Sequence, residues 1–274
     1  MKNNSSQTAK NILKTDGIIY ASPEETIGFV ASKFKSSHDA AFVVDEEQKL
    51  LGAVTPYHLF IKRTYPPSTK LKNCLFHPSK IHLDTNLLEV ARLMLESKVH
   101  YLPVVDEKGI MLGIVTSRRL LRTALSFPSA SRSVSEIMNE KAYLETVNNT
   151  SSLEEAVRFF ERSKRMKLVV VNKTNHLVGV LPFFDLMPLL MQPKNRKEKS
   201  GFYDTHENES LFKKYRVDNF MKKETIQVSL TTTFQTVIND ILDRSIGSVM
   251  VMKDKLTPEN IITTSDLLRY FYIQ

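Results

Sequence analysis

Four short segments of the chain set a polar side chain three places after a hydroxyl residue or its substitute. They read Thr263-Thr264-Ser265-Asp266, Pro182-Phe183-Phe184-Asp185, Thr55-Pro56-Tyr57-His58 and Thr116-Ser117-Arg118-Arg119. An ionised Asp is an acceptor with two oxygens, so Asp266 can take both hydroxyls of a vicinal diol. Thr263 and Ser265, with free N–H groups at a helix start, suit a phosphate. The same T-x-x-D spacing also makes a plain helix cap, in which each side chain satisfies the other residue's backbone donor. Both readings stand at Asp266. Asp185 keeps the carboxylate, but Pro182 removes the hydroxyl and a backbone donor. Asp185 could equally complement a helix dipole. His58 and Arg119 cannot copy a carboxylate, since a neutral imidazole offers one acceptor and a guanidinium none.

These segments belong to a repeated unit. The stretches AKNIL (9–13), LKNCL (71–75), VSEIM (134–138) and VDNFM (217–221) align on Ile12, Cys74, Ile137 and Phe220. Each precedes a short β-like run, at 17–20, 80–83, 142–144 and 225–228. A helix-period stretch follows, and in the second copy Leu87, Val90, Ala91 and Met94 share one face. Asp84 or Thr85, Thr150 or Ser151, and Thr231 or Thr232 are the expected caps. Buried strands come next at 40–45, 101–106, 167–172 and 248–252. A turn, a second strand and a closing helix occupy 50–60, 111–121, 177–187 and 259–269. The order is β-α-β-β-α, four times over.

The copies span 9–63, 71–125, 134–190 and 217–274. A unit of roughly 55 residues is too small to bury much of its own surface, so two should pack sheet to sheet as one domain. Sequential copies should pair, one with two and three with four. Two domains also suit 274 residues. Residues 192–216 are charged and poor in aliphatic side chains, and read as a solvated or partly disordered linker.

Composition narrows the function. With 42% hydrophobic and 25% charged residues the chain is of ordinary globular type. One cysteine, Cys74, excludes an internal disulfide scaffold and fits a reducing compartment. It occupies a shared apolar position, which points to packing. The start lacks a secretory signal's apolar region, and the longest apolar run, 177–191, is broken by Pro182, Asp185 and Pro188. A cytoplasmic protein without membrane insertion is expected. The net charge of +8 is concentrated in residues 1–133, with 18 basic against 12 acidic side chains. No dense basic block with interleaved aromatics accompanies it, so a nucleic-acid reading is weak. No metal spacing, nucleophile elbow or phosphate-cradling glycine loop is present, which leaves an enzyme as the least supported class.

A strand ending V-V-D, a turn, then L-G-I-V-T-x-x-x-L-L resembles the CBS domain, the cystathionine-beta-synthase-type repeat. The resemblance covers nearly the whole chain. It implies an α+β fold of four CBS repeats paired into two Bateman modules. The arrangement is similar to gamma subunits of AMP-activated protein kinase and to stand-alone prokaryotic four-repeat proteins. The resemblance further implies an effector of adenosine type, an adenine nucleotide or S-adenosylmethionine-like compound, with no required cofactor. It assigns Asp266 and Asp185 to the ribose, Thr263 and Ser265 to a phosphate, and Tyr143, Leu144 and Val169 to the base. It puts His100, Arg118 and Thr116 where phosphates are reached from a neighbouring repeat. The plain alternative for His100 and Arg118 is surface or solvated side chains, and the basic run 162–167 reads as a solvated helix end. A homodimer through CBS modules and a regulated enzyme or transporter are the partners implied. A ligand-free scaffold, or anion or nucleic-acid binding through the basic half, are the competing functions.

Overall fold

The computed structural model describes residues 7–35, 39–56, 58–59, 65–138, 144–163, 166–190 and 212–273. Repeat one contributes β1 (Ile19–Ala21), α1 (Ile27–Ala31), β2 (Ala41–Val44) and β3 (Leu50–Val54). Repeat two contributes α2 (Leu87–Ser97), β4 (Tyr101–Val105), β5 (Met111–Thr116) and α3 (Ser117–Ala124). Repeat three contributes β6 (Thr146–Asn148), α4 (Leu153–Ser163), β7 (Lys167–Val171), β8 (Leu177–Pro182) and α5 (Met187–Leu190). Repeat four contributes β9 (Gln227–Val228), α6 (Phe234–Asp243), β10 (Ser248–Met252), β11 (Pro258–Thr263) and α7 (Thr264–Tyr272).

Each sheet has one plan. The middle strand runs parallel to the first and antiparallel to the last. In repeat two the first strand shrinks to a bridge between Ile81 and Val104. The middle and last strands slip register at Val43/Val44, Val104/Val105, Val170/Val171 and Val251/Met252, the same place in each copy. The polar residue closing the V-V-D pattern explains the turn there. Asp45, Asp106 and Asn172 each accept a backbone N–H four residues on through Oδ1, and Asp254 accepts those of Leu256 and Thr257.

Two details correct the sequence reading. The helix caps fall one residue or more later than expected, at Asn86, Ser152 and Thr233. The earlier hydroxyls are engaged by the preceding turn: Thr85 accepts from the His82 N–H, and Thr232 from that of Ser229. The first strand of repeat three is Thr146–Asn148 and not 142–144, because those residues pair with Val169–Val171. Ala142 and Tyr143 lie outside the described residues.

The core has two layers. Between the sheets of repeats one and two lie Phe42, Val44, Tyr101, Val105 and Ile114, and between those of three and four Val169, Val180 and Met250. This is the expected pairing, with Val104 and Val170 fully buried on the opposite faces. Those opposite faces build something larger. The helices of repeats two and four share one apolar core, including Met94, Leu121, Ile241 and Leu268, and repeats one and three share another, including Val30, Phe160 and Phe183. The two modules are thus fused through their helices. Cys74 is buried in the second of these cores, its thiol pushed up to about 11 by desolvation, which fits packing.

Candidate ligand clefts

Antiparallel pairing places the start of each middle strand opposite the end of each last strand, and the four polar segments begin there. Tyr101 pairs with Thr116, Lys167 with Pro182, and Ser248 with Thr263. The closing helix then starts against the residue before the middle strand, as the Ser117 N–H donates to His100 O and the Thr264 N–H to Gly247 O.

Three of the four segments are helix caps built on threonine. Asp266 Oδ2 accepts from the Thr263 N–H at 2.8 Å and its hydroxyl at 2.7 Å, while the Asp266 N–H returns a bond to Thr263 Oγ1 at 3.3 Å. Both contacts to Asp266 use one oxygen, so the cap does not need Oδ1. Thr116 Oγ1 caps through the Arg119 N–H and Thr55 Oγ1 through that of His58. Pro182 makes no side-chain cap in the third segment. Ser265 is half-buried on the first turn of α7.

A feature absent from the sequence reading governs the remaining contacts. The lead segment of one repeat crosses onto the last strand of its partner. Lys14 exchanges two backbone hydrogen bonds with Ile114, Phe76 with Ala53, and Lys222 with Val180. Glycine permits this approach: a Cβ at Gly113 would sit 2.5 Å from Lys14 O, and one at Gly179 closer still to Lys222 O. The fourth repeat has Asn260 at that place, where the amide touches Met138 Sδ at 3.3 Å. Lys14, Phe76 and Lys222 each lie two places beyond the aligned Ile12, Cys74 and Phe220, a register that could have revealed them.

The crossing residues meet the polar segments. His58 stacks on Phe76 at 3.9 Å, with rings 4° from parallel, and Arg119 donates to Leu13 O at 2.7 Å. Lys222 Nζ lies 3.3 Å from Asp185 Oδ1, while Asp185 Oδ2 is buried with no hydrogen-bond partner among the described residues. Arg118 lies elsewhere, donating to the carbonyls of Ile241 and Leu242 at the end of α6. Val169 is 2% exposed, enclosed between the sheets, with Leu144 half-buried against it.

One further lysine joins two segments. Lys167, opposite Pro182 in its own repeat, donates to Ser248 Oγ at 2.8 Å, and Ser248 lies opposite Thr263. Desolvation lowers the Lys167 ammonium to about 8, the neighbouring Lys222 adds to this, and Asp185 opposes it. Desolvation and then Lys167 lower His100 to about 4, so the imidazole is neutral at pH 7. An open depression of about 600 Å³ near Tyr20, Glu24 and Asp45 lies at the other ends of β1 and β2 and shares no residue with these segments. Among the described residues no cluster of His, Cys, Asp and Glu could hold a metal, and no helix is long and apolar enough to cross a membrane.

The family model for the CBS domain matches residues 9–62, 77–126, 134–192 and 217–273. The chain belongs to the CBS-domain family. Its fold is similar to that of a protein from Methanocaldococcus jannaschii proposed as an archaeal homologue of g-AMPK. That likeness has a TM-score of 0.79 at 17% identity and covers 97% of this chain and 100% of the other. An uncharacterised conserved protein from Pyrococcus horikoshii is similar at a TM-score of 0.65 and 20% identity, with the same coverage. In sequence, the chain is 30% identical over 127 residues to inosine-5'-monophosphate dehydrogenase of Aquifex aeolicus, 46% of this chain and 25% of that protein. It is 24% identical over 202 residues to an uncharacterised protein of M. jannaschii, 73% of this chain and 47% of the other. The chain therefore spans about a fifth to a half of the length of the curated relatives it matches. It consists of CBS pairs, which are regulatory modules.

Proposed function

We propose that this CBS chain is a non-catalytic regulatory sensor of an adenosine-type ligand, an adenine nucleotide or S-adenosyl compound, bound mainly by repeats three and four. Lys167 carries the reading. A lysine held away from water is costly to keep charged, and its hydrogen bond is to a neutral hydroxyl. It sits between the two carboxylate-bearing segments, with Lys222 near and Asp185 as the opposing charge. A phosphate entering there would compensate the ammonium while Asp266 or Asp185 takes the ribose diol. In the fourth cleft Thr263 and Ser265 serve the phosphate at the helix start. Leu144 and Val169 border the base, with Tyr143 their assigned neighbour.

His100 and Thr116 would serve a phosphate as neutral hydrogen-bonding groups. Occupancy acts by differential affinity, favouring whichever arrangement of the repeats gives the ligand more contacts. The resulting change is passed to a partner, an enzyme or a transporter, in the cytoplasm.

A scaffold role is favoured for the first module by its contacts: His58 is stacked on Phe76, and Arg119 is bonded to Leu13 O. Calorimetry of the full chain with AMP, ADP, ATP and S-adenosylmethionine tests the whole reading. Saturable binding of at least one is expected, and none with any would leave the scaffold.

A further inference from the structure

Lys222 is anchored at its backbone and exposed at its side chain. Two hydrogen bonds to Val180, at 2.7 and 2.9 Å, and the close approach over Gly179 hold the main chain. The side chain is 61% exposed, and its ammonium reaches Asp185 Oδ1 at 3.3 Å. The lysine end of this pair stands in solvent while the carboxylate end is only 21% exposed. The ammonium can therefore be exchanged for another cationic or hydrogen-bonding partner from the solvent side. Asp185 has a second oxygen that is buried and has no donor among the described residues. Lys167, from the same repeat, contributes the other positive charge facing this carboxylate.

We infer that Lys222 sets the ligand selectivity of the third cleft: it admits adenosine compounds that carry an anionic group and disfavours those that do not. The inference rests on the adenosine-type reading above. A phosphate takes the Lys222 ammonium, and Asp185 is released to accept the ribose hydroxyls, so one ion pair is exchanged for another. A neutral nucleoside brings no anion and must compete with the lysine for Asp185. Neither of the other described crossing residues can do this. Phe76 is uncharged, and Lys14 faces a repeat whose corresponding residue is Arg119.

The test uses the full chain with the fourth cleft weakened by Asp266→Ala, or by Asp266→Asn if the alanine variant does not fold. AMP and adenosine are titrated calorimetrically. With Lys222 present, AMP should be preferred by at least about tenfold, the scale of one charge-assisted hydrogen bond. Adding Lys222→Met should weaken AMP, strengthen adenosine and bring the two within about threefold. Lys222→Arg should keep the preference. An unchanged ratio in Lys222→Met would overturn the inference, as would no binding of either ligand with or without Lys222. The broader reading is judged separately, on AMP binding by the unaltered chain and its response to Asp266→Ala.

Discussion

A single oxygen of Asp266 accepts both the backbone N–H and the hydroxyl of Thr263, at 2.8 and 2.7 Å. The aspartate therefore completes a capping box at the start of α7 while its other oxygen is not needed for it. Capping and ligand recognition are compatible at this residue, where the spacing alone set them as alternatives.

Replacing Asp266 should thus affect two observables together. Asp266→Ala should cost about 0.5–1.5 kcal/mol of stability through the lost Thr263 bonds to its carboxylate, while the bond from the backbone N–H of residue 266 to Thr263 Oγ1 stays. It should also weaken AMP roughly ten- to a hundred-fold through the lost charge-assisted bond. Asp266→Asn keeps an acceptor for Thr263, so stability should stay near the parent while affinity is intermediate. Melting temperature and calorimetry on the same proteins check this, and a stability loss with unchanged affinity would reduce Asp266 to a cap.

Lys167 predicts opposite signs for stability and binding. Its folded value, about 8, lies below its ordinary 10.5. Between these values the unfolded chain binds more protons, so this residue's contribution makes stability rise as pH climbs from about 8 to about 10.5. Lys167→Met should leave the ligand-free protein as stable or more stable at pH 7, because it removes a desolvated charge. AMP should bind about tenfold more weakly to that variant. In the parent, AMP affinity should fall as pH rises past about 8, and this dependence should be blunted in the variant. Denaturation midpoints and AMP titrations across that range are the measurements.

His100 works in the acid range. Its folded value of about 4 lies below 6.5, so the unfolded chain takes up the proton first as pH falls. Its contribution is fully present above about pH 6.5 and is progressively lost as pH falls toward about 4. His100→Asn should flatten that part of the stability profile, as read from urea midpoints at pH 7 and pH 5. A profile of unchanged slope would argue against a desolvated imidazole.

The crossing segments should be sensitive to a single methyl group. Gly179→Ala drives a Cβ into the Lys222 carbonyl and should cost ~1–3 kcal/mol through forced backbone movement. Asn260→Gly, at the corresponding place in repeat four, relieves no such contact and should cost less. Chemical denaturation of both variants provides the comparison, and equal effects would remove the special role assigned to Gly179.

The four-fold β-α-β-β-α order, the α+β class and the pairing of neighbouring sheets were legible from the sequence because they depend on local periodicity and on apolar faces too small to stand alone. The V-V-D turns are local too, since an Asx side chain closes its own loop within four residues. Cap positions were missed by a residue because Thr85 and Thr232 satisfy the turn before the helix. The T-x-x-D segments were visible as candidates, since their chemistry lies in residue type and spacing.

Their partners were not visible. Lys222 is 37 residues from Asp185, Phe76 is 18 from His58, and Ile241 is 123 from Arg118. Which side chains meet across such distances depends on how the crossing segments lie on the sheets, and that depends on the missing Cβ at Gly113 and Gly179. Lys167 read as part of a solvated helix end, and His100 as a candidate phosphate contact or a surface residue, and neither reading contained the proximity and desolvation that alter their charge. The sequence by itself determined the repeated unit and the chemical types at each cleft. Tertiary packing decided which of those groups are engaged within the chain, because charge compensation and close approach are properties of neighbours in space and not in sequence.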